Sequence, residues 1–296
     1  MKRLKWSVIA IGLAIAFAVG LPGTAYADGI PAVACNDSNL AIPLFSDSGI
    51  REVRIRLSQY VCPGDAFILV SGNQDGEADT DWLNKNAQTL ALEFPYVRIL
   101  AATSGLMNVE KVSREANELI DTVVYVYEPN FPNVPEFTWE FEPTLFWARI
   151  GARIAHSYRK EFWFKPTGRP LLQPPLQQYG WDYGALATLV DGLIVQTQGY
   201  CKNEAYLVLY REAMQKLRQQ YVDAGAESVV FPQVTVGKFL RNAVDADRAA
   251  ECAGIAQDEA YGYSGIMLWW EIANTEEMAA FLEKMRPSIT IEDYQG

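Results

Sequence analysis

Seven apolar segments recur along the chain, and each one ends in polar residues. Their bounds are 65–73, 96–104, 122–130, 161–168, 192–198, 228–235 and 265–271. They are nearly continuous apolar runs, as is typical of parallel strands that are buried on both faces. Between them lie stretches long enough for a helix, so that each unit takes about 25–40 residues. This rhythm predicts an α/β fold, the (β/α)8 TIM barrel or a close variant with an irregular first strand.

The first strand of the barrel has two candidates. Residues 40–45 form an apolar run, although Pro43 weakens it as a strand, and residues 52–57 alternate strictly between apolar and polar positions. Either segment could close the barrel. We therefore predict an irregular segment over 28–64 that leads into a β/α barrel over 65–296.

The first 27 residues have the composition of a secretory signal peptide. Three basic residues within 2–5 precede an uncharged apolar run over 7–20, and the segment ends in the small-x-small sequence Ala25-Tyr26-Ala27. The apolar run is short for a membrane span. We predict cleavage after Ala27, with the mature protein secreted or periplasmic and free of the membrane; an uncleaved anchor is the alternative.

Charge and motifs narrow the list of partners. The net charge is −11, and removal of the three basic residues of the signal peptide makes it −14. Such an acidic chain does not suit nucleic acid or anionic lipid. Neither GxGxxG nor GxxxxGK[ST] occurs, and the single histidine, His156, falls in a predicted helix away from the strand ends. We predict no cofactor, no metal and no Ser-His-Asp triad, and leave the oligomeric state open.

All four cysteines, Cys35, Cys62, Cys201 and Cys252, follow the predicted signal peptide. An oxidising compartment favours disulfides, and four cysteines allow three connectivities. We favour Cys35–Cys62 and Cys201–Cys252, because each pair is local in the order of strands and helices. A zinc site is disfavoured because no CxxC occurs.

Glu128 is the first candidate for catalysis. It follows the apolar run 123–127, and Pro129 turns the chain out of the strand directly after it. Its carboxylate would face the barrel mouth, where the sites of TIM barrels lie, and would serve as an acid/base. The alternative is a structural ion pair with Lys165, which would favour ionised Glu128 and oppose a role as general acid.

Glu271 is the second candidate carboxylate, and it ends the last strand after Trp269 and Trp270. Glycoside hydrolysis normally uses two carboxyl groups, about 5–5.5 Å apart for retention and about 6.5–9.5 Å apart for inversion. The fourth and eighth strands stand across a barrel from each other, so a groove could lie between Glu128 and Glu271. The alternative for Glu271 is a solvated residue before the last helix.

Amide side chains follow two other strands. Gln196 and Gln198 share one phase of their strand, and Gln233 in the next strand can likewise project into the upper barrel. Amides donate and accept hydrogen bonds, which suits hydroxyl-rich ligands. The alternative is a satisfied polar network that fills the barrel. Other strand ends extend this ring of candidate binding residues with Asn73, Lys165 and Thr167.

Aromatic residues make up 12% of the chain, which is enough to line a groove as well as fill a core. Rings at a rim can stack on the apolar faces of sugars. Most single aromatic residues are core residues. Trp139, in the loop after Glu128, and Trp269 are the two that we expect to serve as stacking platforms.

The last segment, GIMLWWE over 265–271, resembles the last strand of the family-eighteen chitinases, where a Gly-x-Met-x-Trp run places a tryptophan on the floor of the sugar site. The family's catalytic signature, Asp-x-x-Asp-x-Asp-x-Glu, is not met. With Glu128 as its glutamate, Val124 and Val126 replace two aspartates. The resemblance therefore does not extend to the family's substrate-assisted chemistry.

Three further segments look like recurring strands of exported bacterial glycosidase-like barrels. They are DTVVYVYE over 121–128, KEFWFKPTGRP over 160–170 and VDGLIVQTQ over 190–198. Together with the strand ends, this resemblance implies a glycoside hydrolase-like barrel that acts on a polysaccharide or glycan at the carboxyl ends of its strands. A non-catalytic carbohydrate- or cell-wall-binding barrel is the alternative hypothesis. A hydrolase of another class is the third hypothesis.

Overall fold

The computed structural model describes residues 35, 39–71, 76–129, 134–238, 242–259 and 265–287. The predicted signal peptide at 1–27 and the candidate binding residue Asn73 lie outside the described residues.

Eight parallel strands pair in the order of the sequence and close into a barrel, because the eighth strand pairs with the first. This confirms the predicted TIM barrel. The strands are β1 Asn39–Leu44, β2 Ala66–Val70, β3 Arg98–Thr103, β4 Ile120–Tyr127, β5 Glu161–Pro166, β6 Gly192–Val195, β7 Val229–Thr235 and β8 Gly265–Trp269.

Helices follow the strands and surround the barrel. They are α1 Asp47–Glu52, α2 Thr80–Glu93, α3 Leu106–Glu115, α4 Phe141–Ser157, α5 Pro174–Gln177, α6 Tyr183–Ala187, α7 Gln198–Lys202, α8 Tyr206–Ala224, α9 Ala246–Glu259 and α10 Thr275–Met285. Short 3-10 turns lie at Ser58–Tyr60, Arg169–Leu171 and Ile272–Asn274, and Val53–Leu57 is a π-helical turn.

The first of the two candidate segments supplies the closing strand. In β1, Ala41 is in register with Ala66 on β2 and with Met267 on β8. The ladder with β8 ends at Ala41, so the missing N–H of Pro43 interrupts no rung of that ladder. The carbonyl of Pro43 instead accepts a hydrogen bond of 3.2 Å from the indole N–H of Trp270.

The second candidate, 52–57, is helical, so its interpretation as a strand is wrong. Ser46 caps the preceding helix by accepting a hydrogen bond of 3.2 Å from the Gly49 amide. Val53 and Leu57 are fully buried while Ile55 is 71% exposed. Two apolar residues four positions apart share one face of a helix, and this face covers the barrel.

Side chains alternate between the inside of the barrel and the layer of helices. The inside is filled by a separate apolar cluster to which every strand contributes, with Val124, Trp163 and Phe231 among its members. Steps of two residues toward the carboxyl ends lead from these positions to Glu128, Lys165 and Gln233. The alternation therefore directs the predicted polar side chains into the barrel mouth.

Both predicted disulfides are present. Cys35–Cys62 joins its Cα atoms at 5.7 Å and Cys201–Cys252 at 6.1 Å. Cys201 belongs to α7 and Cys252 to α9, so the second disulfide ties together two helices beside the mouth. Across the described part of the chain, every helix is too short or too polar to cross a membrane.

A polar cleft at the barrel mouth

A cleft of about 770 Å³ opens beyond the carboxyl ends of β4, β5 and β6. The predicted site residues Glu128, Thr167, Gln196 and Gln198 all line it, and so does Arg169. Sites of TIM barrels lie at this end, because the loops that follow the strands converge there.

Glu128 lies at the edge of the cleft with 23% of its side chain exposed. Its Oε1 atom is 3.7 Å from the Nζ atom of Lys165, whose side chain is 3% exposed. The structure thus contains the ion pair that the sequence offers as the alternative role of Glu128. The Lys165 ammonium also lies 4.8 Å from the centroid of the Trp269 ring.

Burial lowers the pKa of Lys165, and the charge of Glu128 acts in the opposite direction. The arrangement places the Glu128 side chain at the cleft directly beside a buried ammonium group.

Three amide side chains at the ends of β6 and β7 each have one polar atom without a hydrogen-bond partner among the described residues, and Gln196 and Gln198 of these line the cleft with Glu128. Gln233 is 2% exposed, and its Oε1 atom has no partner among the described residues. The same is true of the buried Nε2 atom of Gln196 and the buried Oε1 atom of Gln198. Each of the three amides therefore departs from the fully satisfied network that the sequence offers as the alternative, because one of its polar atoms has no partner among the described residues.

Tyr200 fixes the turn that carries Arg169 and Leu172. Its hydroxyl donates to the Arg169 carbonyl at 2.8 Å and accepts from the Leu172 amide at 3.1 Å. Burial raises the pKa of Tyr200 to about 12, so the hydroxyl stays protonated at neutral pH. We did not single out Arg169 from the sequence, although the Thr-Gly-Arg-Pro run after β5 marks it as a polar strand end.

A second, apolar pocket of about 380 Å³ lies at β1 and β8. Phe45, Trp269, Trp270, Glu271 and Ile272 contribute to its wall. Trp269 packs edge-on against Phe45 with ring centroids 4.7 Å apart. Trp269 therefore lines the apolar pocket rather than the polar cleft, and its role as a stacking platform stays a prediction.

Glu271 and Glu128 line different cavities. β8 ends at Trp269, and Glu271 precedes the 3-10 turn Ile272–Asn274 as an exposed residue. The structure does not bring the two candidate carboxylates together in one cavity.

Neither Trp139, in the loop between β4 and α4, nor His156 is among the described residues that line the cleft. Trp139 packs edge-on against Phe137 at 5.1 Å, and its carbonyl accepts a hydrogen bond of 2.7 Å from the indole of Trp181. His156 lies at the opposite end of the barrel, 2.7 Å from the carboxylate of Asp191 before β6. Within the described ranges, no three His, Cys, Asp or Glu side chains are grouped so that they could hold a metal ion.

The closed eight-stranded parallel barrel with a cleft at its carboxyl end defines the TIM-barrel class of protein. No family model matches the chain, and no curated protein matches its sequence. Solved structures share the fold. One is the glycoside hydrolase domain of PgaB (BpsB) from Bordetella bronchiseptica, with a TM-score of 0.55 and 11% identity over 83% of this chain and 98% of that one.

Another similar structure is a GH18 chitinase from Pseudoalteromonas aurantia. It has a TM-score of 0.50 and 12% identity over 84% of this chain and 98% of that one. At such low identity the likeness shows the fold alone, so the function rests on the cleft.

Proposed function

We propose that this protein is an exported carbohydrate-active barrel that binds a glycan in the mouth cleft and hydrolyses a glycosidic bond there with the help of Glu128. The observation that carries the proposal is that Gln196 and Gln198, each with an amide atom that has no partner among the described residues, line one cleft together with the carboxylate of Glu128. The similar structures named above are a glycoside hydrolase domain and a chitinase, which agrees with this chemistry.

Sugar hydroxyls match the amide atoms. A hydroxyl group donates one hydrogen bond and accepts others, so sugar hydroxyl groups suit both an acceptor such as the Oε1 atom of Gln198 and a donor such as the Nε2 atom of Gln196. A buried polar atom left without a partner costs about 1–3 kcal/mol. A bound glycan would recover part of this free energy, whereas an apolar ligand would not.

Lys165 determines which role Glu128 takes. Because Glu128 forms an ion pair with the ammonium of Lys165 at 3.7 Å, we assign Glu128 to activating a water molecule or to stabilising the positive charge of an oxocarbenium-like transition state. This role differs from that of a general acid, which must carry a proton.

Export is part of the proposal. The sequence over 1–27 has the features of a signal peptide, and two disulfides suit an oxidising compartment. Sequencing the N-terminus of protein recovered from the medium or periplasm tests this part. A mature chain that starts at Asp28 is expected, and an intact Met1 in an exported chain would contradict the predicted cleavage.

A non-catalytic carbohydrate-binding barrel is the second candidate. It is favoured by one observation: Glu128 is the sole carboxylate among the described residues that line the cleft, while Glu271 lines the apolar pocket. A groove with a single carboxyl side chain and several amides can hold a sugar without cleaving it.

The test compares turnover and binding in matched variants. Purified protein is screened against soluble glycans for binding and for release of reducing ends, and the screen is repeated with Glu128→Gln and with Glu271→Gln. We expect Glu128→Gln to lower turnover by about 100-fold or more while binding persists, and Glu271→Gln to retain turnover.

The other possible outcomes of this test distinguish the two candidate functions. Turnover that survives Glu128→Gln would refute the role of Glu128. Binding without turnover in the unmodified protein would establish the second candidate. A folded protein that binds no glycan would refute both.

A further inference from the structure

Arg169 is a second charged side chain in the cleft, and the proposed function has no role for it. It follows β5, lines the cleft and is half-buried. In the described ranges of the chain, its guanidinium makes neither an ion pair nor a hydrogen bond, although its backbone is held on both sides. Its five N–H donors are therefore available to a ligand.

The backbone that presents Arg169 is tightly placed. A Cβ atom at Gly168 would lie 2.3 Å from the carbonyl oxygen of Gln196, so this turn is packed directly against the end of β6. The hydroxyl of Tyr200 holds the Arg169 carbonyl at 2.8 Å from the other side. A guanidinium on such a rigid base loses less freedom when it binds than one on a mobile loop.

The charge around the cleft favours an anion. Glu128 is offset by the ammonium of Lys165 at 3.7 Å, and Arg169 is the other charged residue among the described residues of the lining. With Lys165 counted beside the lining, two cations and one anion give these described residues a formal charge of +1 in a chain whose net charge is −11. A local positive charge inside a low-dielectric cleft attracts anions even when the rest of the surface repels them.

We propose that Arg169 makes this cleft selective for an acidic glycan, one that carries the carboxylate of a uronic-acid-type sugar. The planar guanidinium pairs with a planar carboxylate through two parallel hydrogen bonds, while Gln196 and Gln198 bind hydroxyl groups of the same ligand. This inference rests on the proposed function, since it names the substrate class of the same cleft.

The test uses ligands that differ in the carboxylate alone. Oligosaccharides from polygalacturonate, alginate and glucuronan are compared with the same oligosaccharides after reduction of their carboxyl groups to primary alcohols. Affinities are measured by calorimetry for the unmodified protein, Arg169→Gln, Arg169→Lys and the control Arg149→Gln. Arg149 is exposed on α4 and its replacement makes the same change in net charge.

At least one acidic oligosaccharide is expected to bind about tenfold or more tightly than its reduced form. Arg169→Gln should remove this preference, and Arg149→Gln should keep it. Arg169→Lys should restore part of it, because lysine keeps the charge and loses the bidentate geometry.

Three outcomes would overturn the inference: equal binding of acidic and reduced forms, a preference that survives Arg169→Gln, or binding of neither form. Turnover of neutral glycans that depends on Glu128 would show that the proposed function holds while this inference fails. A protein that binds no glycan of either kind would refute both.

Discussion

At the scale of single residues, the charged groups with the largest expected effects on the site and on stability are the buried ones. Lys165 is 3% exposed and contacts both Glu128 and Trp269. The ion pair of Lys165 and Glu128 could be foreseen from the sequence because both residues lie at the carboxyl ends of neighbouring strands in the inward phase. The contact with Trp269 could not be foreseen, since it depends on how far each side chain reaches across the barrel mouth.

A buried ion pair near the start of the barrel gives a stability prediction. Arg286 and Asp65 are 1% and 0% exposed, and two guanidinium nitrogens contact the two carboxylate oxygens at 2.6 Å each. Arg286→Met leaves the Asp65 carboxylate buried without its cation, so unfolding should require roughly 3–5 kcal/mol less free energy. Urea denaturation followed by circular dichroism measures this loss.

An exposed arginine serves as the control for Arg286→Met. Arg114 pairs with Glu110 on the surface of α3, where both side chains are about half exposed. Arg114→Met should leave the denaturation midpoint nearly unchanged, since solvent screens such pairs. Equal shifts of the denaturation midpoint in the two variants would refute the claim that the burial of the Asp65–Arg286 pair makes its loss destabilising.

At the scale of elements, α7 is the part of the cleft wall that most needs support. It has five residues and carries Gln198, Tyr200 and Cys201. Helices this short are not stable by themselves, so the Cys201–Cys252 link to α9 holds this wall in place.

Removing each disulfide in turn separates local from general effects. Replacing Cys201 and Cys252 by Ala should lower the free energy of unfolding by about 2–4 kcal/mol and speed amide hydrogen exchange over 198–202. The control, replacement of Cys35 and Cys62 by Ala, should also destabilise the protein but leave exchange in α7 unchanged. Equal exchange in α7 in both variants would contradict a supporting role for Cys201–Cys252.

The elements themselves were largely predictable, and the one error has a physical cause. Seven strands could be located because parallel strands buried on both faces are continuous apolar runs. The segment 52–57 was ambiguous, because Val53 and Leu57 lie two alternations apart and also one helical turn apart. Only the packing of the chain after the capped helix α1 decides between the two periods.

At the scale of the whole molecule, the barrel buries several tyrosine hydroxyls. Burial raises the pKa of five of them above the ordinary value of 10.0: Tyr125, Tyr127, Tyr183, Tyr200 and Tyr221. Above about pH 10, the folded chain therefore keeps tyrosine protons that the unfolded chain releases.

This difference predicts cooperative unfolding in alkali. A raised tyrosine pKa contributes stability that is present below pH 10 and is lost as the pH rises through the folded pKa, which for Tyr200 is about 12. The lowered pKa of Lys165 acts in the opposite direction, but only below its ordinary value of 10.5. Urea midpoints measured between about pH 8 and 12 should fall above about pH 10 together with a rise in tyrosinate absorbance. A constant midpoint across this range would contradict the prediction.

The spacing of the strands in the sequence predicts the whole barrel. It does not predict that the barrel mouth holds two separate cavities, a polar cleft and an apolar pocket. The sequence places Glu128 and Glu271 on strands that face each other, which suggests one groove. The structure instead places them in a polar cleft and an apolar pocket, because β8 ends at Trp269 before Glu271 is reached. Where a strand ends depends on pairing with its neighbours, and sequence periodicity does not define this to within two residues.

The central claim is that the mouth cleft binds a glycan through its unpaired amides. The most direct measurement is the calorimetric affinity of the glycan identified by screening for three proteins: the unmodified chain, Gln196→Ala and Gln257→Ala. Gln257 is exposed on α9, outside the cleft. We predict that Gln196→Ala weakens binding by about tenfold and that Gln257→Ala leaves it unchanged. Equal affinity in all three proteins would contradict the account.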